Sequence, residues 1–157
     1  MERYRIAVVP GDGIGLDTVD QAVQTLRVVE RVHGGLAFIF DRYPWGCKHY
    51  LEHGRMMPDD GLRILGDCDS ILFGAAGFPS VPDHISLWGL LLPIRQGFDQ
   101  YINLRPVKLL PGIRGPLCAK GPEEIDFVCV RENTEGEYSG VGGRLHRGTD
   151  DEVAIQT

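Results

Sequence analysis

Three arginines and one tyrosine carry the chemistry that this sequence offers most directly. Arg95 lies in "LWGLLLPIRQ", Arg105 in "NLRPVK" and Arg131 in "VCVRENTEGEY", which ends on Tyr138. Arg95 follows an apolar helical stretch, and the other two arginines interrupt strand-like runs. A guanidinium is costly to bury unless it is paired. Its planar fork matches a carboxylate with two charge-assisted hydrogen bonds. Three such groups could converge on a substrate with two carboxylates, or each could pair with a nearby Asp or Glu. A tyrosine hydroxyl can act as a general acid toward a developing oxyanion. It can equally be a packing residue.

A second chemical candidate is the loop "VVPGDGIG", Val8 to Gly15. Three glycines between a strand and a helix raise the question of a phosphate cradle. Gly11 and Gly13 fit the dinucleotide fingerprint, but position 16 is leucine, and no Walker lysine follows. The spacing alone therefore favours a tight turn that needs positive φ. His49 and His53 are four apart and could share a helix face. Their order relative to Glu52 is not that of a zinc protease, and solvated histidines are expected. Asp59 and Asp60 read as charges at a helix N-terminus. Glu132, Glu135 and Glu137 surround Arg131 and either orient it or are solvated. Cys47, Cys68, Cys118 and Cys129 form no C-x-x-C pair, so reduced thiols without a metal role are expected.

The elements that must position these groups alternate. "RIAVV" (Arg5 to Val9) reads as a buried strand. Val19, Ala22, Val23, Leu26 and Val29 form one face of an amphipathic helix, with Asp17 or Thr18 as its cap. Gly34 and Gly35 end it. "LAFIF" (Leu36 to Phe40) is a second strand. Short helices are expected over Cys47 to His53, closed by Gly54, and from Pro58 to Leu65. "SILFGAA" (Ser70 to Ala76) is a third strand. The β-α-β-α-β order calls for a parallel sheet with helices on its faces. Phe78 to Ser86 reads as a loop, and Leu87 to Gln100 as a helix kinked, or started, by Pro93. Tyr101 to Leu110 and Ile125 to Glu132 are extended. Gly140 to Gly148 suggests a hairpin or arm, and "EVAIQT" begins another strand.

The chain has 157 residues and a formal net charge of -6. That balance disfavours a nucleic-acid partner, which would need a basic surface. No run is long enough for a membrane span, and the N-terminus has no signal-peptide pattern, so the expected compartment is the cytoplasm.

In order along the chain, "AVVPGDGIG", "LFGAAGFP", "LWGLLLPIR", "YINLRPVK" and "VRENTEGEY" together resemble the β-decarboxylating hydroxyacid dehydrogenases. "PDHISLWGLLLPIR" and "RENTEGEYSGVGGR" are most similar to the members that act on tartrate and D-malate. The resemblance implies an α/β fold of the isopropylmalate dehydrogenase type, not a Rossmann fold. Residues 1–100 would begin the large domain, and residues 101–157 would begin a second, dimer-forming domain. Position by position, Arg95, Arg105 and Arg131 match the arginines that grip substrate carboxylates. Tyr138 matches the tyrosine that protonates the enol left by decarboxylation. Trp88 and Leu91 fall on the helix that sets substrate choice, and a bulky Trp88 favours a small C3 substituent. Gly74, Ala75, Ala76 and Gly77 would lie near the cofactor. The implied reaction is NAD-dependent oxidation and decarboxylation of a small 2-hydroxy di-acid, assisted by Mg2+ or Mn2+, in a homodimer.

Members of that family are more than twice as long as this chain. The metal-binding aspartates, the lysine given across the dimer and the adenine-binding loop have no counterpart here, so no metal ligand is assigned in this chain. The isolated 157 residues are expected to be inactive. A non-catalytic substrate-binding or regulatory module and a decayed truncated product are the alternatives.

Overall fold

The computed structural model describes residues 1–157, which divide into two compact units, Met1–Gly97 and Phe98–Thr157. The first unit is built on the apolar run that begins near its N-terminus. β1 (Glu2–Gly11) lies between β2 (Leu36–Arg42) and β3 (Ser70–Ala75), parallel to both, in the order β2-β1-β3. Alternation along β1 sends Ile6 and Val8 to one face of the sheet and Ala7 and Val9 to the other. The residues of β1 from Ile6 to Val9 are buried, which is why the run is continuously apolar rather than alternating.

α1 (Ile14–His33) covers the Ile6/Val8 face through Val19 and Val23, with Phe38, Phe40 and Leu72 beside them. It starts earlier than the periodicity predicts. Gly13 is its N-cap and no side chain caps it, while Thr18 Oγ1 donates to the Ile14 carbonyl at 3.0 Å inside the first turns. Gly34 closes the helix in the left-handed conformation, as expected.

The Ala7/Val9 face carries the larger core: Trp45, Cys47, Met56, Leu65, Val81, Leu90 and Ile94. They come from α2 (Cys47–His53), α3 (Gly61–Gly66), α5 (Leu92–Gly97) and the segments around them. Met56, Leu65 and Leu90 are almost wholly enclosed, and burying each contributes roughly 1.5–3 kcal/mol.

The stretch read as a loop followed by one kinked helix differs in detail. α4 (Asp83–Ser86) runs into a π-helical turn, Leu87–Leu91, and then into α5. Pro93 explains why the turn is wide. Proline has no N–H to give to the carbonyl four residues back, and its ring crowds that carbonyl. Here the Leu92 N–H reaches the Leu87 carbonyl instead, five residues away.

The second unit consists of two antiparallel ribbons. β4 (Ile102–Lys108) pairs with β5 (Asp126–Glu132), and β6 (Gly142–Leu145) with β7 (Val153–Gln156). Leu104, Val128 and Val130 are each more than half exposed. A two-stranded ribbon wet on both faces is only marginally stable by itself.

Candidate functional site

The glycine loop joins β1 to α1, and its glycines are required by backbone crowding. A Cβ on Gly11 would stand 1.9 Å from the Ala75 carbonyl oxygen, and one on Gly15 would stand 2.2 Å from that of Pro10. Gly11 also has φ +69° and Gly13 φ +52°, a region that other residues rarely enter. The loop is thus a close splice between the ends of β1 and β3.

Asp12, which sequence reasoning misses, organises this splice. It is 5% exposed. Its N–H donates to the Ala75 carbonyl at 2.6 Å. Its Oδ1 accepts the Cys47 N–H at 2.8 Å, and its Oδ2 accepts the Gly77 N–H at 3.0 Å. Cys47 opens α2, so its N–H is one of the donors a helix cannot satisfy internally. One buried carboxylate therefore ties together the loops that follow β1, β2 and β3. The crowding and the positive φ angles account for the glycines as a tight turn. The available signal is an acidic residue between the two glycines. The Cys47 thiol is pushed up to about 12, chiefly by burial and next by Asp12, so it is inert as a nucleophile.

Gly74 and Ala75 end β3, and Ala76 and Gly77 follow it. They lie at the carboxyl end of the sheet, where open α/β sheets hold ligands. A cavity of about 340 Å3 opens beside the loop, lined by Pro10, Asp12, Leu16, Lys48, Leu51 and Phe78 among others.

In the first unit, Trp88, Leu91 and Arg95 follow one another across the π-turn and α5. Leu90, Leu92 and Ile94 point into the core, whereas Trp88 is 44% exposed and Leu91 and Arg95 are half-buried. The π-turn sits close to the core: a Cβ on Gly89 would stand 2.6 Å from Met56 Cγ.

In the second unit, the register of β4 and β5 sets Asn103 opposite Arg131 and Arg105 opposite Cys129. Residues two apart share a face, so Arg105 and Arg131 are diagonal neighbours on one side of the ribbon. The ion pairs of this unit join Lys108 to Asp126, Lys120 to Glu124 and Arg144 to Glu152, and include neither arginine. Arg105 Nε donates to Asn103 Oδ1 at 3.3 Å. Arg131 donates to the Tyr138 hydroxyl, and its Cζ lies 5.1 Å from the centre of that ring. The structure thus brings Arg131 and Tyr138 together and sets Arg105 on the same ribbon face as Arg131.

Glu132 points to the opposite face and builds the turn that leads to Tyr138. Its Oε1 accepts the N–H groups of Thr134 at 2.6 Å and Glu135 at 2.8 Å. These bonds, the one from Thr134 foremost, hold its carboxyl below the usual range. Asn133 is buried, and its Nδ2 donates to the Gln100 carbonyl at 2.8 Å. Its Oδ1 is enclosed without a partner. Nothing in the sequence signals this residue. All four cysteines are free. No three His, Cys, Asp or Glu side chains converge as a metal site, so the residues present do not fit the divalent ion that the resemblance implies.

The family profile described as isocitrate/isopropylmalate dehydrogenase matches residues 5–157. The chain is 54% identical over 157 residues to a probable tartrate dehydrogenase/decarboxylase of Bacillus subtilis, covering 99% of this chain and 44% of that protein. It is 52% identical over 158 residues to the decarboxylating D-malate dehydrogenase of Escherichia coli, again covering 99% and 44%. The chain therefore spans less than half the length of these relatives. Among solved structures, isocitrate dehydrogenase from Methylococcus capsulatus superposes with a TM-score of 0.75 at 25% identity, covering 98% of this chain and 42% of that one.

Proposed function

Because the chain belongs to the isocitrate/isopropylmalate dehydrogenase family, we propose that it carries the substrate grip and proton donor of a hydroxyacid dehydrogenase. Its fold is that of this family, not the Rossmann type that a glycine loop after a first strand can suggest. The reaction is NAD-dependent oxidation and decarboxylation of a small 2-hydroxy di-acid, D-malate or tartrate. The names of the 54% and 52% identical relatives support that substrate class.

In this reading Arg95, Arg105 and Arg131 bind the substrate carboxylates, and the fixed guanidinium planes hold the reacting carbons in place. Tyr138 gives a proton to the enolate left by loss of CO2. Trp88 and Leu91 limit the size of the C3 substituent. Gly74, Ala75, Ala76 and Gly77 line the approach to the cofactor. The single observation that carries the reading is the Arg131–Tyr138 contact. The guanidinium donates into the phenol oxygen, which keeps the hydroxyl in the donor role that protonation of an enolate requires.

The divalent ion, Mg2+ or Mn2+, would act as an electron sink during decarboxylation. No three-ligand set for it exists here, and the glycine spacing departs from the dinucleotide fingerprint at Leu16. The metal ligands and the adenine-binding loop belong to further polypeptide, in a homodimeric cytoplasmic enzyme of the relatives' length. The 157-residue chain alone is accordingly inactive. The test is NAD reduction with D-malate and manganese. The isolated chain should give none, and robust turnover by it would overturn this part of the reading.

A second reading, a substrate-binding module without turnover, draws on the absence of a metal-ligand set beside two arginines outside ion pairs. D-malate binding by the chain when no longer partner is made in its native cells would favour it. The third alternative, a decayed product, fits poorly with the closed core of the first unit.

A further inference from the structure

α2 carries a feature that the proposed reaction does not use. His49 and His53 lie one turn apart on this helix, with ring centroids 4.5 Å apart and planes inclined by 55°. Positions i and i+4 share a helix face, so the two imidazoles can reach one ion. His49 Nδ1 lies 2.7 Å from the Arg55 carbonyl. A carbonyl only accepts, so Nδ1 must carry the proton, and neutral His49 presents the Nε2 lone pair. A backbone carbonyl behind one ring nitrogen is the usual support of a metal-ligating histidine at its other nitrogen. Both rings line a recess of about 440 Å3 shared with Arg55, Pro58, Asp59 and Asp60.

From this juxtaposition we propose that His49 and His53 form a two-imidazole site for a borderline divalent transition metal of the zinc and nickel class. Glu52 Oε2 faces His53 Nε2 at 3.8 Å, but no three His, Cys, Asp or Glu side chains form a closed set. Asp59 and Asp60 are engaged by Arg55 at 2.6 Å and Arg63 at 2.8 Å. Water fills the rest of the coordination shell, so the site is weak and exchangeable. Imidazole nitrogen suits zinc and nickel, whereas magnesium takes oxygen ligands. The site is therefore chemically distinct from the Mg2+ or Mn2+ of the proposed reaction and does not depend on that reading.

Its consequence is structural. α2 has only seven residues, too few to be stable as an isolated helix. A chelate across one turn clamps it. The same helix presents the Cys47 N–H to Asp12 at 2.8 Å, so the clamp steadies the loops at the carboxyl end of the sheet.

The test is calorimetric titration of the whole chain with zinc, nickel and magnesium chlorides. A background of Cys118→Ser and Cys129→Ser removes the two exposed thiols, which would compete for zinc. One equivalent of zinc or nickel should bind and raise the thermal midpoint, while magnesium does neither. His49→Gln and His53→Gln should each weaken zinc binding roughly tenfold or more, with helical circular dichroism unchanged. His84→Gln, on α4, should leave it intact. Failure of saturable zinc binding, or binding that survives both substitutions on α2, would overturn the proposal.

Discussion

At the scale of single residues, the most consequential side chain is Asp12. Its two oxygens are both occupied by backbone N–H groups from different loops. Asp12→Asn keeps the shape but turns an NH2 toward one of those donors. A buried N–H then loses its acceptor, which costs about 1–3 kcal/mol. The urea midpoint of Asp12→Asn should fall accordingly, and the Cys47 or Gly77 amide should exchange faster. An unchanged midpoint would mean that the three loops are held by something else. Glu132 offers a pH-dependent counterpart. Its folded pKa is lowered from the ordinary 4.5, so the turn it caps is fully supported above that value. Support is lost as pH falls through the lower folded value. Protection of the Thr134 and Glu135 amides should follow that window, and Glu132→Gln should abolish the dependence. Persistence of the titration in Glu132→Gln would assign it to another group.

At the scale of elements, the π-turn is held in a specific place by what it touches. Gly89→Ala would set a Cβ 2.6 Å from Met56 Cγ and 3.1 Å from Met56 Cβ. Met56 is almost fully buried, so it cannot swing clear, and the overpacking should cost roughly 1–3 kcal/mol. Met56→Ala removes the nearer obstructing atom, Cγ, and leaves only the Cβ contact at 3.1 Å. Combined with it, Gly89→Ala should therefore cost less than it does alone. A double-mutant cycle on denaturation midpoints checks this, and simple additivity would refute the steric account. The same region shows what the sequence makes legible. The strands of the parallel sheet and the α2 helix with its Gly54 cap are readable because periodicity and capping residues are local signals. The N-terminus of α1 escapes such a reading because its cap is a glycine with no side-chain acceptor. Pro93 signals an interruption, but a proline is equally compatible with a kink, a helix start or a widened turn. Only the packing of Gly89 on Met56 selects among them. The pairing of Arg131 with Tyr138 has no local signal, since it depends on the turn that Glu132 builds between them.

At the scale of the molecule, the two units differ in how much apolar surface they enclose. The first buries β1 between two side-chain layers, with Ala7, Val8 and Val9 essentially inaccessible. The second leaves Leu104 63% and Val130 67% exposed, with ribbons of two strands each. Hydrogen-bonded strands open locally at a free energy set by the packing that opening disrupts, and sparse burial means frequent opening. Hydrogen exchange should therefore be slowest at the β1 amides of Ala7 to Val9. It should be faster by orders of magnitude at Val128 and Val130, which have no enclosed neighbours to hold them. If the substrate arginines act within a longer enzyme, supplying the remaining polypeptide should slow exchange in β5 while leaving β1 nearly unchanged, because β1 is already enclosed. Equal protection of β1 and β5 in the isolated chain would show that the ribbon is stabilised by interactions other than burial. It would also remove the physical reason for expecting Arg105, Arg131 and Tyr138 to need further chain around them.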